Sequence, residues 1–84
     1  MNKGTFAEQQ PELKYYLHKQ IIVKIQAKRS IKGILNGYDQ YMNLVLEDAY
    51  DITTENTPIP IGQILIRGNA ILSLQLVEQI YQQQ

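Results

Sequence analysis

Tyr41, Asn43, Arg67 and Asn69 are the side chains in this sequence best suited to hold a flat, polar heterocycle. Tyr41 offers an aromatic face, Arg67 a guanidinium plane, and each asparagine a carboxamide that donates and accepts in one plane. These are the parts needed to sandwich a single unpaired RNA base and read its edge. They come from two polar interruptions of apolar sequence, DQYMNLVLED at 39–48 and IRGNAI at 66–71. Asp39 is suited to pin the first loop through backbone N–H groups, and Gly68 to permit close approach in the second. Taken singly, each residue has a plainer role: Tyr41 as a packed aromatic, Arg67 as a surface charge, Asn43 and Asn69 as turn formers. The joint pattern, two loops that each bring one planar group and one amide, points to a shared pocket.

The remaining chemistry-bearing residues form no reactive set. His18 has no serine, cysteine or metal-ligand partner at a recognisable spacing, and it suits the end of a short helix. Strand alternation puts Glu47 and Asp51 on one face and Asp48 on the other, the arrangement of solvated carboxylates rather than a metal site. Gly33 and Gly37 lie within a strand pattern, not before a helix, so they make no phosphate loop. The reading is therefore non-enzymatic: no catalytic residue, no metal, no cofactor and no small-molecule substrate.

With 84 residues the chain is one domain with a small core. Eight basic residues balance eight acidic ones, so no whole-molecule field steers it onto nucleic acid. A domain that held RNA alone would carry a basic surplus, which directs the RNA reading toward one member of an assembly. The absence of cysteine suits an intracellular protein. MNKGTFAEQQPE has no apolar run, so neither a signal peptide nor a membrane span is expected there.

These loops must be positioned by something, and the hydropathy pattern supplies it. Residues 1–9 and the glutamines from Gln82 to Gln84 are polar and expected to be disordered. Pro11 fits the first position of a short α-helix whose apolar face is Leu13, Tyr16 and Leu17. Period-two alternation then predicts strand one at 21–26, strand two at 30–39 and strand three from Met42 to Ile52. A turn spans Thr53 to Pro60, with strand four from Ile61 and strand five from Ile71. Gly33 and Gly37 make sense if strand two bends sharply to close a small barrel. The fold class is mainly β: a short helix on a five-stranded, strongly bent, antiparallel open barrel of SH3-like or OB-like size. Strands four and five are apolar on both faces, a hazard for edge strands unless another chain pairs with them. Ile64, Leu65, Ile66, Leu72 and Leu74 are the candidate subunit-interface residues.

The sequence resembles the Sm and Sm-like (LSm) family. IIVKIQAKRSIKGILNGYDQYMNLVLEDA matches the first family motif, most characteristically at Gly33, Asp39, Met42 and Asn43. IGQILIRGNAILSL matches the second, through Ile66-Arg67-Gly68-Asn69. Within the family, the G-type chains of the spliceosomal core ring are most similar. The resemblance implies an Sm domain at 10–80, with motifs at about 20–52 and 61–76, followed by a polar tail at 81–84. It also implies a heteroheptameric ring in which strand four of one subunit pairs with strand five of the next. The implied partners are the uridine-rich Sm site of small nuclear RNAs and other Sm proteins, with SmE and a D-class chain as neighbours. Assembly is expected in the cytoplasm and work in the nucleus, with no membrane involved. Two alternatives stay open: an LSm ring handling RNA 3′ ends, and a purely structural ring adaptor. Ala27 and Lys28 stand where the family usually turns through glycines, and Asn36 where G-type chains often carry arginine.

Overall fold

Side chains alternating between two faces of each strand build one curled sheet around one core. The computed structural model describes residues 12–77. Its strands are β1, Gln20–Ile25; β2, Arg29–Tyr38; β3, Leu44–Asp51; β4, Ile59–Ile66; and β5, Ile71–Leu76. All neighbours are antiparallel, in the order β4-β3-β2-β1-β5, so β4 and β5 are the two free edges. Ile21, Val23, Ile31, Leu35, Leu44, Leu46 and Ala49 fill the core, with Ile66 and Ile71 from the edge strands and Leu13 as a lid.

The bend is made at two matched places. Opposite Ala49, Gly33 leaves room that a Cβ would fill, at 3.2 Å from both Ala49 Cα and the Glu47 carbonyl oxygen. Across from it Asp48 is an extra residue at φ 50°, and the inward positions step from Leu46 to Ala49 rather than by two. Both ladders of β3 lose register there, as a β-bulge requires. The bulge overrides strict alternation, so Asp48 does not face opposite Glu47 by simple period two. Gly37 lies at a second register shift, but a Cβ there meets nothing within 4 Å.

Four expectations change. The N-terminal element is a single 3-10 turn, Leu13–Tyr16, not an α-helix. Its intended face holds, with Leu13 buried and Tyr16 and Leu17 packed on the core. It ends because Leu17 is already extended and His18 takes φ 67°, donating its N–H to the Leu35 carbonyl at 2.7 Å. Pro11 and both chain ends lie outside the described residues. Second, β3 starts at Leu44, because Met42 at φ 66° belongs to the loop. Third, β4 starts at Ile59 and includes Pro60, tolerable on an edge strand that has one side unpaired.

Fourth, Asp51 is not a solvated carboxylate. It pairs with the Arg29 guanidinium and accepts the Thr53 N–H at 2.9 Å, while Thr53 Oγ1 accepts the Ser30 N–H at 3.0 Å. Bonds from Thr53, followed by the Arg29 contact, lower its pKa to about 2. Asp51 therefore fastens the β3–β4 turn to the start of β2. No helix among the described residues is long and apolar enough to cross a membrane.

Candidate nucleic-acid interface

The first loop is organised by one carboxylate. Asp39 Oδ1 accepts the N–H groups of Tyr41 at 2.9 Å and Asn43 at 3.0 Å, and Oδ2 accepts Asn43 Nδ2 at 3.0 Å. The main chain closes the same turn: Met42 donates to the Asp39 carbonyl at 3.0 Å, and Asp39 donates to the Asn43 carbonyl at 3.2 Å. Bonds that favour the ionised form, the Asn43 amide foremost, hold the Asp39 pKa below its ordinary value, with desolvation opposing them. Met42 reaches its left-handed conformation because these bonds fix the residues on either side.

The second loop is a short 3-10 turn, Gly68–Ala70, between β4 and β5. Gly68 donates its N–H to Asn43 Oδ1 at 2.8 Å, which joins the two loops through the asparagine. The approach is closer than any side chain allows: a Cβ on Gly68 would lie 2.2 Å from the Tyr41 carbonyl oxygen and 2.9 Å from the Met42 carbonyl. Space, rather than φ, excludes every other residue there.

Gln40, Tyr41, Asn43, Arg67 and Asn69 line one solvent-open cavity of about 450 Å3 at this junction. That lies within the range of small-ligand sites, roughly 300–1,000 Å3. Tyr41 is 68% exposed. Among the described residues, none hydrogen-bonds the side chains of Gln40, Tyr41, Arg67 or Asn69. Asn43 is different. Its amide has two lone pairs and two hydrogens; Gly68 engages one lone pair and Asp39 one hydrogen. One acceptor and one donor remain, in a plane set by two partners.

Four of the six expected site residues thus line the cavity, and the other two, Asp39 and Gly68, build it. Sequence reasoning passed over Gln40, although it sits between two residues it singled out. It also passed over Gln26, whose N–H donates to the Ala70 carbonyl at 3.0 Å and whose Nε2 donates to the Asn69 carbonyl at 3.4 Å. No local pattern marks a contact across 43 residues.

The interface candidates separate by face. Leu65 is 59% exposed and Leu72 61%. Ile64 and Leu74 pack partly on the core, and Ile66 is buried within it, so Ile66 has only its main chain to offer at an edge. His18 is exposed, and the described residues contain no cluster of three or more metal-ligating side chains.

Residues 11–76 match the LSM domain. The chain belongs to the LSM family. Its similarity to curated members is extensive: it is 44% identical over 73 residues to small nuclear ribonucleoprotein G of Saccharomyces cerevisiae, covering 83% of this chain and 95% of that one. The corresponding protein of Drosophila melanogaster, named a probable small nuclear ribonucleoprotein G, is 37% identical over 70 residues, with 83% and 92% covered. Among solved structures, a heptameric archaeal Sm protein superposes with TM-score 0.74 at 35% identity, covering 79% of this chain and 96% of the other. The Pyrococcus abyssii Sm protein in complex with a uridine heptamer gives TM-score 0.71 at 31% identity, covering 77% and 92%. In this LSM chain both loops of the cavity lie within the matched residues, and the sheet brings them within a hydrogen bond of each other.

Proposed function

We propose that this chain is a non-catalytic, G-type subunit of a heteroheptameric Sm ring that takes one uridine of a uridine-rich small nuclear RNA site, acting in ribonucleoprotein assembly and pre-mRNA splicing. The observation that carries the reading is the half-engaged Asn43 amide. Its remaining acceptor matches the uracil N3–H and its remaining donor a uracil carbonyl, whereas cytosine offers an acceptor at N3 and an amine beside it. Tyr41 stacks on one face of the base and Arg67 covers the other, adding a cation–π contribution. The Asn69 side chain, which makes no bond within the second loop, reaches the base edge.

The relatives named as small nuclear ribonucleoprotein G support the ring type, and the archaeal uridine complex supports the ligand. Exposed apolar side chains on both free edges, Leu65 and Leu72 among them, support pairing of β4 with β5 of the next subunit. The ring neighbours in this reading are an SmE-type and a D-class chain, with assembly in the cytoplasm and function in the nucleus. The purely structural adaptor would tolerate loss of the base-facing groups, yet all of them are present around one cavity.

Crosslinking in a ring reconstituted with partner Sm proteins tests this. Wild type crosslinks to one uridine of the site; Tyr41→Ala loses that crosslink; Asn43→Ala keeps stacking but accepts cytidine there. An unchanged pattern in both variants would mean that the loop at 39–43 is structural and the pocket reading wrong.

A further inference from the structure

The two loops of the pocket are anchored unequally. The first holds itself through Asp39. The second has only the main-chain bonds of its own short turn, Ala70 N–H to the Arg67 carbonyl at 3.0 Å and Ile71 N–H to the Gly68 carbonyl, and among the described residues no side-chain bond of its own. Its contact with the first loop is the Gly68 N–H on Asn43. Its consecutive carbonyls at Asn69 and Ala70 both accept bonds from Gln26.

The sheet makes this contact necessary. The β1–β5 ladder runs regularly from Ile21↔Leu76 to Lys24↔Ser73, then skips, so Ile25 faces Ile71 and Leu72 is left over. Such a bulge loosens pairing at the point where β5 emerges from the second loop. Gln26, one residue past β1, restores it with one main-chain and one side-chain bond. Gln26 itself is presented by a hairpin whose next two residues, Ala27 and Lys28, are both left-handed, at φ 68° and 59°.

We infer that Gln26 is a positioning residue for base binding: its side-chain amide clamps the Asn69 carbonyl and so sets where Arg67 and Asn69 stand over the pocket. This rests on the uridine-pocket reading. It makes a separable claim, because Gln26 bonds neither Asn43 nor the two partners that orient it, Asp39 and Gly68. Gln26 therefore affects how tightly a base is covered, not which base is chosen.

The test uses intact rings carrying Gln26→Met, which keeps length and apolar contact but removes the donor, or Gln26→Glu, which sets a carboxylate against the carbonyl. Each ring is purified at wild-type stoichiometry and given an RNA with one photoreactive uridine at the position this subunit faces. Loss of one neutral hydrogen bond predicts a crosslink yield about twofold to fivefold lower for Gln26→Met, and lower still for Gln26→Glu. The uridine-over-cytidine ratio in competition stays at the wild-type value in both. A role in hairpin stability alone would leave the yield of intact rings unmoved. Wild-type yields in both variants, with Tyr41→Ala losing the crosslink, would overturn the role of Gln26 and leave the pocket standing. Collapse of the base ratio in Gln26→Met would overturn it too, since the residue would then act through Asn43. A crosslink that survives Tyr41→Ala removes the pocket itself, and this inference with it.

Discussion

The loop at Asp39–Asn43 and the loop at Arg67–Ala70 face the same cavity but are held in opposite ways. One carboxylate, four residues before the end of its own loop, accepts three N–H groups and fixes everything between. The second loop depends on distant partners: Asn43, 25 residues earlier, and Gln26, 43 residues earlier. The local device orients the group proposed to choose the base. The long-range device places the groups proposed to cover it, so selectivity and grip have separate structural supports.

Breaking the junction between them has the largest expected effect. Gly68→Ala puts a methyl group 2.2 Å from the Tyr41 carbonyl oxygen, and neither backbone can yield without losing the Asn43 bond. Overpacking of this kind costs about 1–3 kcal/mol or more, and here it should reach the upper end. Denaturant unfolding of the assembled protein should show the loss, and uridine crosslinking should vanish at this subunit. A Gly68→Ala protein of wild-type stability would mean that the loops are not in main-chain contact.

Tyr41→Ala comes next and acts on one side of the comparison only. A stacked base contributes about 1–3 kcal/mol. The substitution should remove that from RNA binding while leaving stability nearly unchanged, because the ring is mostly exposed and the Asp39 bonds go to main-chain N–H groups. Titration of the ring with a site-containing RNA and with a variant lacking that uridine separates the two effects.

Acid should divide the loops further. Asp39 is held below its ordinary pKa, so its contribution is complete above about pH 4 and is lost as pH falls through the lowered value. Asp51, lowered to about 2, behaves the same way at the other end of the sheet, between roughly pH 4 and 2. The second loop contains no carboxylate. In a ring with only this subunit isotope-labelled, the Tyr41 and Asn43 amide signals should shift below pH 4 before that of Ala70. Simultaneous movement of all three would show that the loops open as one unit.

The same contrast explains what the sequence made legible. Strand alternation at Ile21, Val23, Ile31 and Leu35 is a local property, and the inward faces of β1 and β2 follow it. Asp39 and its acceptor role were readable because an aspartate fixes its own neighbours. The α-helix was not, because a 3-10 turn at Leu13–Tyr16 shows the same apolar spacing over so few residues. The bulge at Asp48 was hidden too, since nothing in LVLEDAYD marks an inserted residue; the register shifts in both ladders of β3, with Gly33 packed against Ala49, reveal it. Gln26 belongs to this second group.

The smallest effect sharpens the comparison most. Ala27 and Lys28 sit in the left-handed region, where a side chain costs about 1–2 kcal/mol per residue. Glycine relieves this but adds freedom to the unfolded chain, which opposes the gain by about 0.4–1 kcal/mol. Lys28→Gly or Ala27→Gly should therefore stabilise the protein by a net of about 0.5–1 kcal/mol. The same change frees the hairpin that carries Gln26, the outside anchor of the second loop. Stability and base covering should then move in opposite directions, the unfolding midpoint rising while the crosslink yield at the facing uridine holds or falls slightly. The first loop shares no bond with that hairpin, so the preference for uridine should not change. A rise in both stability and yield would show that the strained hairpin hinders the pocket, and that the long-range anchor is a constraint on binding, not a support for it.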